Sequence, residues 1–430
     1  MKKIAWIIGA ALLVLLSSCS DEDYLNAIPR NSKALVSIDM ARMDNPSALM
    51  SDFADCGVDF ASRVFLFETA DGDFGLCARL GDEAKLSEWL DAKVSAGECE
   101  GVVERRDIHF ALYHKSWLMG YADHTLMILG PVVASQQASV QMQIATYMKQ
   151  DARRGISQSR IYERLDSIGS PVCMVAQTAV LPEKLIAPFT LGAPADVDAS
   201  QVWVAAQLDA ADGLLHIKGE TFSFNKRIDT ALKNSAKTFR PLEGRFNQTV
   251  ANGSLLTILM NAKGEQLLPM IQQNKGLKAL MAGVNSAIDM NSILRSVDGD
   301  LFFSVGAISD TSLRMSMGAQ VGSPELLKDS AEWRRNAPAG FWLRTQKGSG
   351  GEMAFFCGND TKTDTPTASG TKTTPSLLDA LKGQGLCLVL RLDAIDDEMA
   401  EVASSFLKPL FGDISVVVYT MQGSQKSSDK

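Results

Sequence analysis

Leu35-Val36-Ser37-Ile38-Asp39 is an apolar run of strand length that ends on a polar turn and leads into a helical pattern over residues 46–53. Apolar and β-branched residues in runs of about five read as strand, and the polar residues after them as a helix start. The same element returns 220 residues later, at Leu255-Leu256-Thr257-Ile258-Leu259 before residues 264–271. A second pair stands 214 residues apart: Val172-Cys173-Met174-Val175-Ala176 before residues 182–186, and Leu386-Cys387-Leu388-Val389-Leu390 before residues 396–406.

The stretches between these copies correspond in order. Residues 63–80 read as strand, Asp71-Gly72-Asp73 turn, strand, then an amphipathic helix over 82–94. In the later half, residues 300–321 read as strand, Ser309-Asp310 turn, strand, then a helix over 324–334. Asp-Gly turns between alternating apolar residues are hairpin signals. A further hairpin over 108–129, with strands at 109–113 and 125–129, answers to 341–345 and 353–357 around the turn 348–351. Residues 202–208 with 214–224 close the first half, and 415–421 close the second. Short hairpin turns require antiparallel neighbours. The alternation from Leu214 to Phe224 puts apolar side chains on one face and polar ones on the other. The expected fold class is therefore α+β: two related domains, each a mainly antiparallel sheet with helices packed on one face. The spacing exceeds solenoid periods, so it reads as domain duplication. The expected boundaries are 28–245 and 246–421. Residues 359–376, rich in Thr and lacking any large apolar residue, read as a mobile loop, and 422–430 as a disordered tail.

The chain begins with Lys2 and Lys3, an apolar run over residues 4–16, and Leu16-Ser17-Ser18-Cys19. That is a charged n-region, an h-region of signal length and a small-residue cleavage site. The run is too short to span a bilayer as a helix, which takes about 20 residues. A cysteine at the cleavage point makes residues 1–18 a bacterial lipoprotein signal, with Cys19 the lipidated first mature residue. Each buried CH₂ of an acyl chain contributes roughly 0.8 kcal/mol, so two or more chains hold the protein to a membrane. Residues 19–27 then form an acidic tether. Within it, Ser20-Asp21-Glu22-Asp23 resembles the export signal of Bacteroidetes surface lipoproteins. This points to a lipid-anchored outer-membrane protein, with the cell surface favoured over the periplasmic face.

Of 430 residues, 46% are hydrophobic and 21% charged, an ordinary globular balance. The formal net charge of −8 excludes the basic face expected of a nucleic-acid binder. It also argues against electrostatic docking to an anionic membrane. After Cys19, the cysteines Cys77, Cys173, Cys357 and Cys387 sit in apolar strand-like runs, where cysteine behaves as a small buried hydrophobe. Cys56 and Cys99 lie in turn-like contexts and are the candidate disulfide pair.

The lipobox with its acidic tail, Ile28-Pro29 before Val36-Ser37-Ile38-Asp39-Met40, Pro182 after the second core strand, and Gly299-Asp300-Leu301 resemble a family of uncharacterised Bacteroidetes envelope lipoproteins, a domain of unknown function. The resemblance implies an envelope lipoprotein of α+β domains and assigns no catalytic residue.

No constellation for chemistry emerges. Asp73-Phe74-Gly75 matches a kinase metal motif by letters but lacks its companions and falls at a hairpin turn. Asp71 with Asp73, and Asp298 with Asp300, are paired carboxylates that turn usage explains. His109, His114, His124 and His216 have no metal-ligand spacing. Arg153, Arg154, Arg160 and Arg164, mixed with acids, read as a solvated face. Tryptophans 89, 117, 203, 333 and 342 form no sugar-binding cluster in sequence. Met260, Met270, Met281 and Met290 stand near helical segments, where core packing is the default and a plastic apolar groove the alternative. The expected protein is a non-enzymatic binding or interaction module of the envelope with no catalytic residue, no cofactor and no metal. Its expected partners are a membrane, through the lipid, and an envelope protein; nucleic acid is not among them. The competing readings are a glycan-binding accessory lipoprotein and an envelope hydrolase with a site assembled from distant residues.

Overall fold

A computed structural model describes residues 22–43, 53, 55–181, 183–247, 254–278, 289–309, 312–322, 332, 335, 342–347, 353–359, 375–392, 408 and 411–422. The signal, Cys19, Ser20 and Asp21 lie outside the described residues, as do the helices expected over 46–53, 324–334 and 396–406 for all but isolated positions. Residues 360–374 of the expected loop and 423–430 of the tail also lie outside them. The fold mixes helices with a large, mainly antiparallel set of strands, and the chain divides into two compact units, 1–175 and 176–430.

The first unit carries β1 (Ala34–Ile38), β2 (Val64–Glu68), β3 (Phe74–Arg79), helix α1 (Glu83–Ser95), β4 (Val103–Arg105), β5 (Ile108–Tyr113), β6 (Trp117–Ala122), β7 (Thr125–Gly130), α2 (Gln137–Met148), α3 (Arg160–Asp166) and β8 (Val172–Gln177). Pairing runs β8–β1–β2–β3–β7–β6–β5–β4. The β2–β3 hairpin turns at Thr69 to Asp73, where Gly72 takes φ +95°. Asp82 caps α1 by accepting from Lys85 N at 3.1 Å, as its place before the apolar run suggests. Leu86 and Leu90 of α1 pack on Met119, Tyr121, Leu126 and Ala111.

Helices do not keep to one face here. Met119 and Tyr121 of β6 meet α1, while Gly120 between them points the other way. A Cβ there would stand 2.5 Å from Ile144 Cγ2 of α2. Successive strand residues face opposite sides, so α1 and α2 cover opposite faces. The expectation of helices on one face fails because Leu118-Met119-Gly120-Tyr121 is apolar throughout and buried on both sides. The acidic tether also differs from a solvated linker: Tyr24, Leu25 and Ala27 are buried in a 3₁₀ turn from Asp23 to Ala27, since apolar side chains follow directly on its acids.

The second unit carries α4 (Glu183–Phe189), β9 (Trp203–Ala211), β10 (Leu214–Phe222), α5 (Lys226–Ala236), β11 (Leu256–Lys263), α6 (Gly264–Gln273), α7 (Met290–Ser296), β12 (Val297–Ser309), β13 (Ser312–Val321), β14 (Trp342–Lys347), β15 (Met353–Gly358), α8 (Pro375–Leu381), β16 (Gln384–Arg391) and β17 (Val416–Gln422). Pairing runs β9–β10–β17–β16–β11–β12–β13–β15–β14. All these pairs are antiparallel except β10 with β17.

Period-two burial splits this sheet cleanly. On one face Leu259, Phe302, Cys387, Val389 and Val418 form a core with Leu377 and Leu381 of α8 and with Phe246. The alternate residues, such as Ile258, Met260, Leu301 and Phe303, look the other way, toward α4, α6 and α7. Strands apolar on both faces belong to a sheet covered on both sides, and the near-continuous run of β16 is of that kind.

Candidate functional site

The second face of the second unit does not close. A pocket of about 110 Å³ lies between the strands and the short helices above them. Its floor is built from side chains one register apart: Ile258 opposite Phe303, Phe303 opposite Met317, and Met317 opposite Cys357. Its roof includes Pro188 at the end of α4, Ile271 of α6, and Met290 and Leu294 of α7.

Local sequence explains why the roof is irregular. α4 and α6 both contain a proline, Pro188 and Pro269, which removes a helical hydrogen bond and interrupts regular packing. α7 spans seven residues and is capped by Asp289, which accepts from Ser292 N at 3.0 Å. The Ser292 hydroxyl donates to the same carboxylate at 2.6 Å, and these bonds hold its pKa below the usual range. α6 and α7 approach so closely that a Cβ on Gly264 would stand 1.7 Å from Leu294 O. Buried Asn274 ties the segment after α6 to α4, donating from Nδ2 to Ala187 O and to Thr190 Oγ1, both at 3.0 Å.

Chemically the wall is almost wholly hydrocarbon and thioether. Met260, Met290, Met315 and Met317 line it, and methionine is the side chain that best adapts to an irregular apolar guest. Among the described residues Cys357 is the one titratable group on it; burial pushes its thiol up to about 12, so it is not a poised nucleophile. Of the methionines singled out in sequence, Met260 and Met290 reach the pocket; Met270 is buried outside its lining, and Met281 lies outside the described residues.

The other sequence candidates fall elsewhere. Asp71 and Asp73 flank the β2–β3 turn, and Asp73 Oδ2 accepts from Gln143 Nε2 at 3.1 Å. Asp298 and Asp300 are not in a turn; they lie in β12. Asp300 is 1% exposed and accepts from Glu243 N, Arg245 N and Asn261 Nδ2, each at 2.9 Å. Gly299 has φ +145°, and a Cβ there would stand 2.4 Å from Gln320 Oε1, so Val-Asp-Gly-Asp is the wording of a tight strand start. Asp298 pairs with Arg240 at 2.8 Å.

Glu22 pairs with Arg63 at 3.5 Å, and Asp23 is exposed at the start of the 3₁₀ turn. Arg153, Arg154 and Arg160 are exposed, and Arg164 is half-buried on α3. Cys56 and Cys99 are buried free thiols here, not joined to each other, and burial raises the pKa of both. His109 stacks on Tyr121 with centroids 5.0 Å apart, and His216 is buried with Nε2 2.8 Å from Thr420 Oγ1. Burial lowers the His216 pKa to about 4. Trp203 is buried against Phe224, and Trp89 packs with Phe53 and Tyr113. Among the described residues no group of three or more His, Cys, Asp or Glu could hold a metal, and no helix is long and apolar enough to cross a membrane.

The profile of a domain of unknown function, DUF4836, matches residues 42–321, about two thirds of the chain. No curated protein matches. Among solved structures, crystal form IV of TP0453 is similar over 44% of this chain and 76% of that one, at 12% identity and a TM-score of 0.28. That likeness is too slight to carry an argument.

Proposed function

We propose that this chain, which belongs to the DUF4836 family of domains of unknown function, is a lipid-anchored envelope protein that binds an apolar ligand in the pocket under α4, α6 and α7. The observation that carries the reading is the composition of that wall. An apolar, partly enclosed pocket with few polar groups is the usual form of a small-molecule site. Catalysis would need converging titratable groups, and among the described residues the wall offers only a thiol whose pKa is raised to about 12.

The Leu16-Ser17-Ser18-Cys19 stretch supports the anchor, and the acids after it support placement on the outer membrane, facing outward. The pairing order supports a duplicated plan: β8–β1–β2–β3–β7–β6 in one unit and β16–β11–β12–β13–β15–β14 in the other. On that reading the two units are related α+β domains, and the pocket is a property of the second.

Binding of Nile red to the purified chain tests the site. Ile271, half-buried on α6, can be replaced with tryptophan to fill the pocket. Ile271→Trp should weaken dye binding by about tenfold or more, equivalent to roughly 1.4 kcal/mol, with thermal unfolding unchanged. Equal binding by both proteins would sink the pocket reading. The anchor is tested separately: Cys19→Ala should move the protein out of the membrane fraction, and continued co-sedimentation with membranes would refute lipidation.

A further inference from the structure

We propose that the ligand is an aliphatic chain ending in a neutral oxygen acceptor, and that Tyr419 Oη donates the hydrogen bond that seats this oxygen. The proposal rests on the pocket being a binding site and says what enters it.

Tyr419 lies on β17, 4% exposed, on the pocket side of the sheet. Its ring is fixed by Phe189, edge to face at 4.8 Å, and by the flat surface of Gly219 on β10. A Cβ on Gly219 would stand 3.1 Å from Tyr419 Cε2 and 2.8 Å from Ala205 O, so only glycine leaves the ring its place. The hydroxyl has no hydrogen-bond partner among the described residues. A buried hydroxyl left unpaired is costly, so its retention asks for an explanation.

A small cavity of about 10 Å³ adjoins Tyr419, with Thr221, Phe239 and Met421 among its walls. Pro188, Leu191 and Leu386 line both this cavity and the larger pocket. A guest in the pocket would have to displace these shared walls to reach Tyr419. The cavity lined by the Tyr419 side chain has room for about one oxygen-sized group. Burial keeps the phenol protonated, so it can donate. Among the described residues no cationic side chain lines either cavity, and a carboxylate would be buried without a counter-charge from them. The acceptor that fits is neutral: the carbonyl of a ketone or ester, or a hydroxyl.

Displacement of Nile red by 2-decanone, decane and decanoate at pH 8 tests this. A purely apolar pocket favours decane, because the ketone must shed its hydration. Seating on Tyr419 reverses the order: the ketone should displace the dye at about tenfold lower concentration than decane, and decanoate should be weakest. Tyr419→Phe keeps the ring and should abolish the ketone's advantage. A wild-type preference for decane, or an advantage that survives in Tyr419→Phe, would overturn the oxygen seat while leaving the apolar site standing. If none of the three displaces the dye, the pocket reading fails and this proposal falls with it.

Discussion

Each unit ties a connecting segment to the start of a strand hairpin, but with opposite physics. In the first, Arg63 stands just before β2. Its Nη2 lies 3.5 Å from Glu22, its Nη1 donates to Asp166 at 2.8 Å, and its backbone carbonyl accepts from Tyr24 Oη at 2.7 Å. The guanidinium also sits over Phe65 and Tyr162, 5.4 and 5.5 Å from the ring centroids. In the second, Asp300 near the start of β12 gathers Glu243 N, Arg245 N and Asn261 Nδ2, and the strap it holds brings Phe246 onto Phe302 at 5.2 Å. The Arg63 partners Glu22 and Asp166 are 57% and 60% exposed, whereas Asp300 is 1% exposed. Water competes for the first knot and not for the second. The two should therefore differ several-fold in what they contribute to stability.

The largest effect is expected at Asp300. Asp300→Ala removes the acceptor of two part-buried backbone N–H groups and one of the two bonds of the buried Asn261 amide, which keeps Pro241 O, each lost bond costing about 1–3 kcal/mol if left unpaired. Some relaxation of the 240–247 strap will recover part of this, so a loss of about 3–5 kcal/mol is expected in urea unfolding. A loss below about 1 kcal/mol would make the two knots equivalent and break the contrast.

Another buried polar group of this unit sharpens it through pH. His216 on β10 bonds Thr420 across the parallel pair with β17, and its pKa falls from an ordinary 6.5 to about 4, chiefly by burial and then by Lys218, against the pull of Asp209. The unfolded chain takes up the proton first as pH drops. Stability is thus full above about pH 6.5, declines between 6.5 and 4, and is flat below, the loss being on the order of 3 kcal/mol. His216→Gln, neutral throughout, should lack that component; the observable is the difference between its urea midpoint and the wild type's across this window. Parallel curves would show that His216 is not held neutral by burial.

Much of this architecture was legible in the chain because period and turn chemistry are local. The β2–β3 hairpin, α1 with its Asp82 cap, β11 leading into α6, and the antiparallel character of most strand pairs all follow from spacing. The misses have physical reasons. β6 escaped because Leu118-Met119-Gly120-Tyr121 has no polar alternation, both its faces being covered. α2 escaped because only Val140 and Ile144 of its residues are buried, and α5 because only Ile228 and Leu232 are. Asp298 and Asp300 looked like turn residues since Asp-Gly-Asp also spells a strand start in which glycine adopts positive φ. The pocket was half-visible as a spread of methionines. Its shape depends on residues from α4, α6, α7 and five strands, and no local pattern encodes where their side chains fail to meet. Tyr419 was indistinguishable from any strand aromatic, because the absence of a partner is a property of three-dimensional surroundings.

The smallest effect belongs to the first knot, and it probes the join between the proposed anchor and the body. Glu22 is the third residue after Cys19, so on the proposed lipidation of Cys19 a firm contact with Arg63 would leave that anchor little slack. Exposure argues that it does not. An ion pair at 3.5 Å between a 57% exposed carboxylate and a guanidinium already engaged by Asp166 and Tyr162 gains modest Coulomb energy in high dielectric. Glu22→Ala should cost at most about 0.5 kcal/mol at low salt and nothing measurable at 0.5 M salt, where the screening length is about 4–5 Å. Tyr24 carries the firmer hold, since it is 5% exposed and its hydroxyl reaches the Arg63 carbonyl whatever the charge at Glu22. A salt-independent loss above about 1 kcal/mol in Glu22→Ala would mean that the first knot is shielded from water after all, and that the two units fasten these segments in the same way.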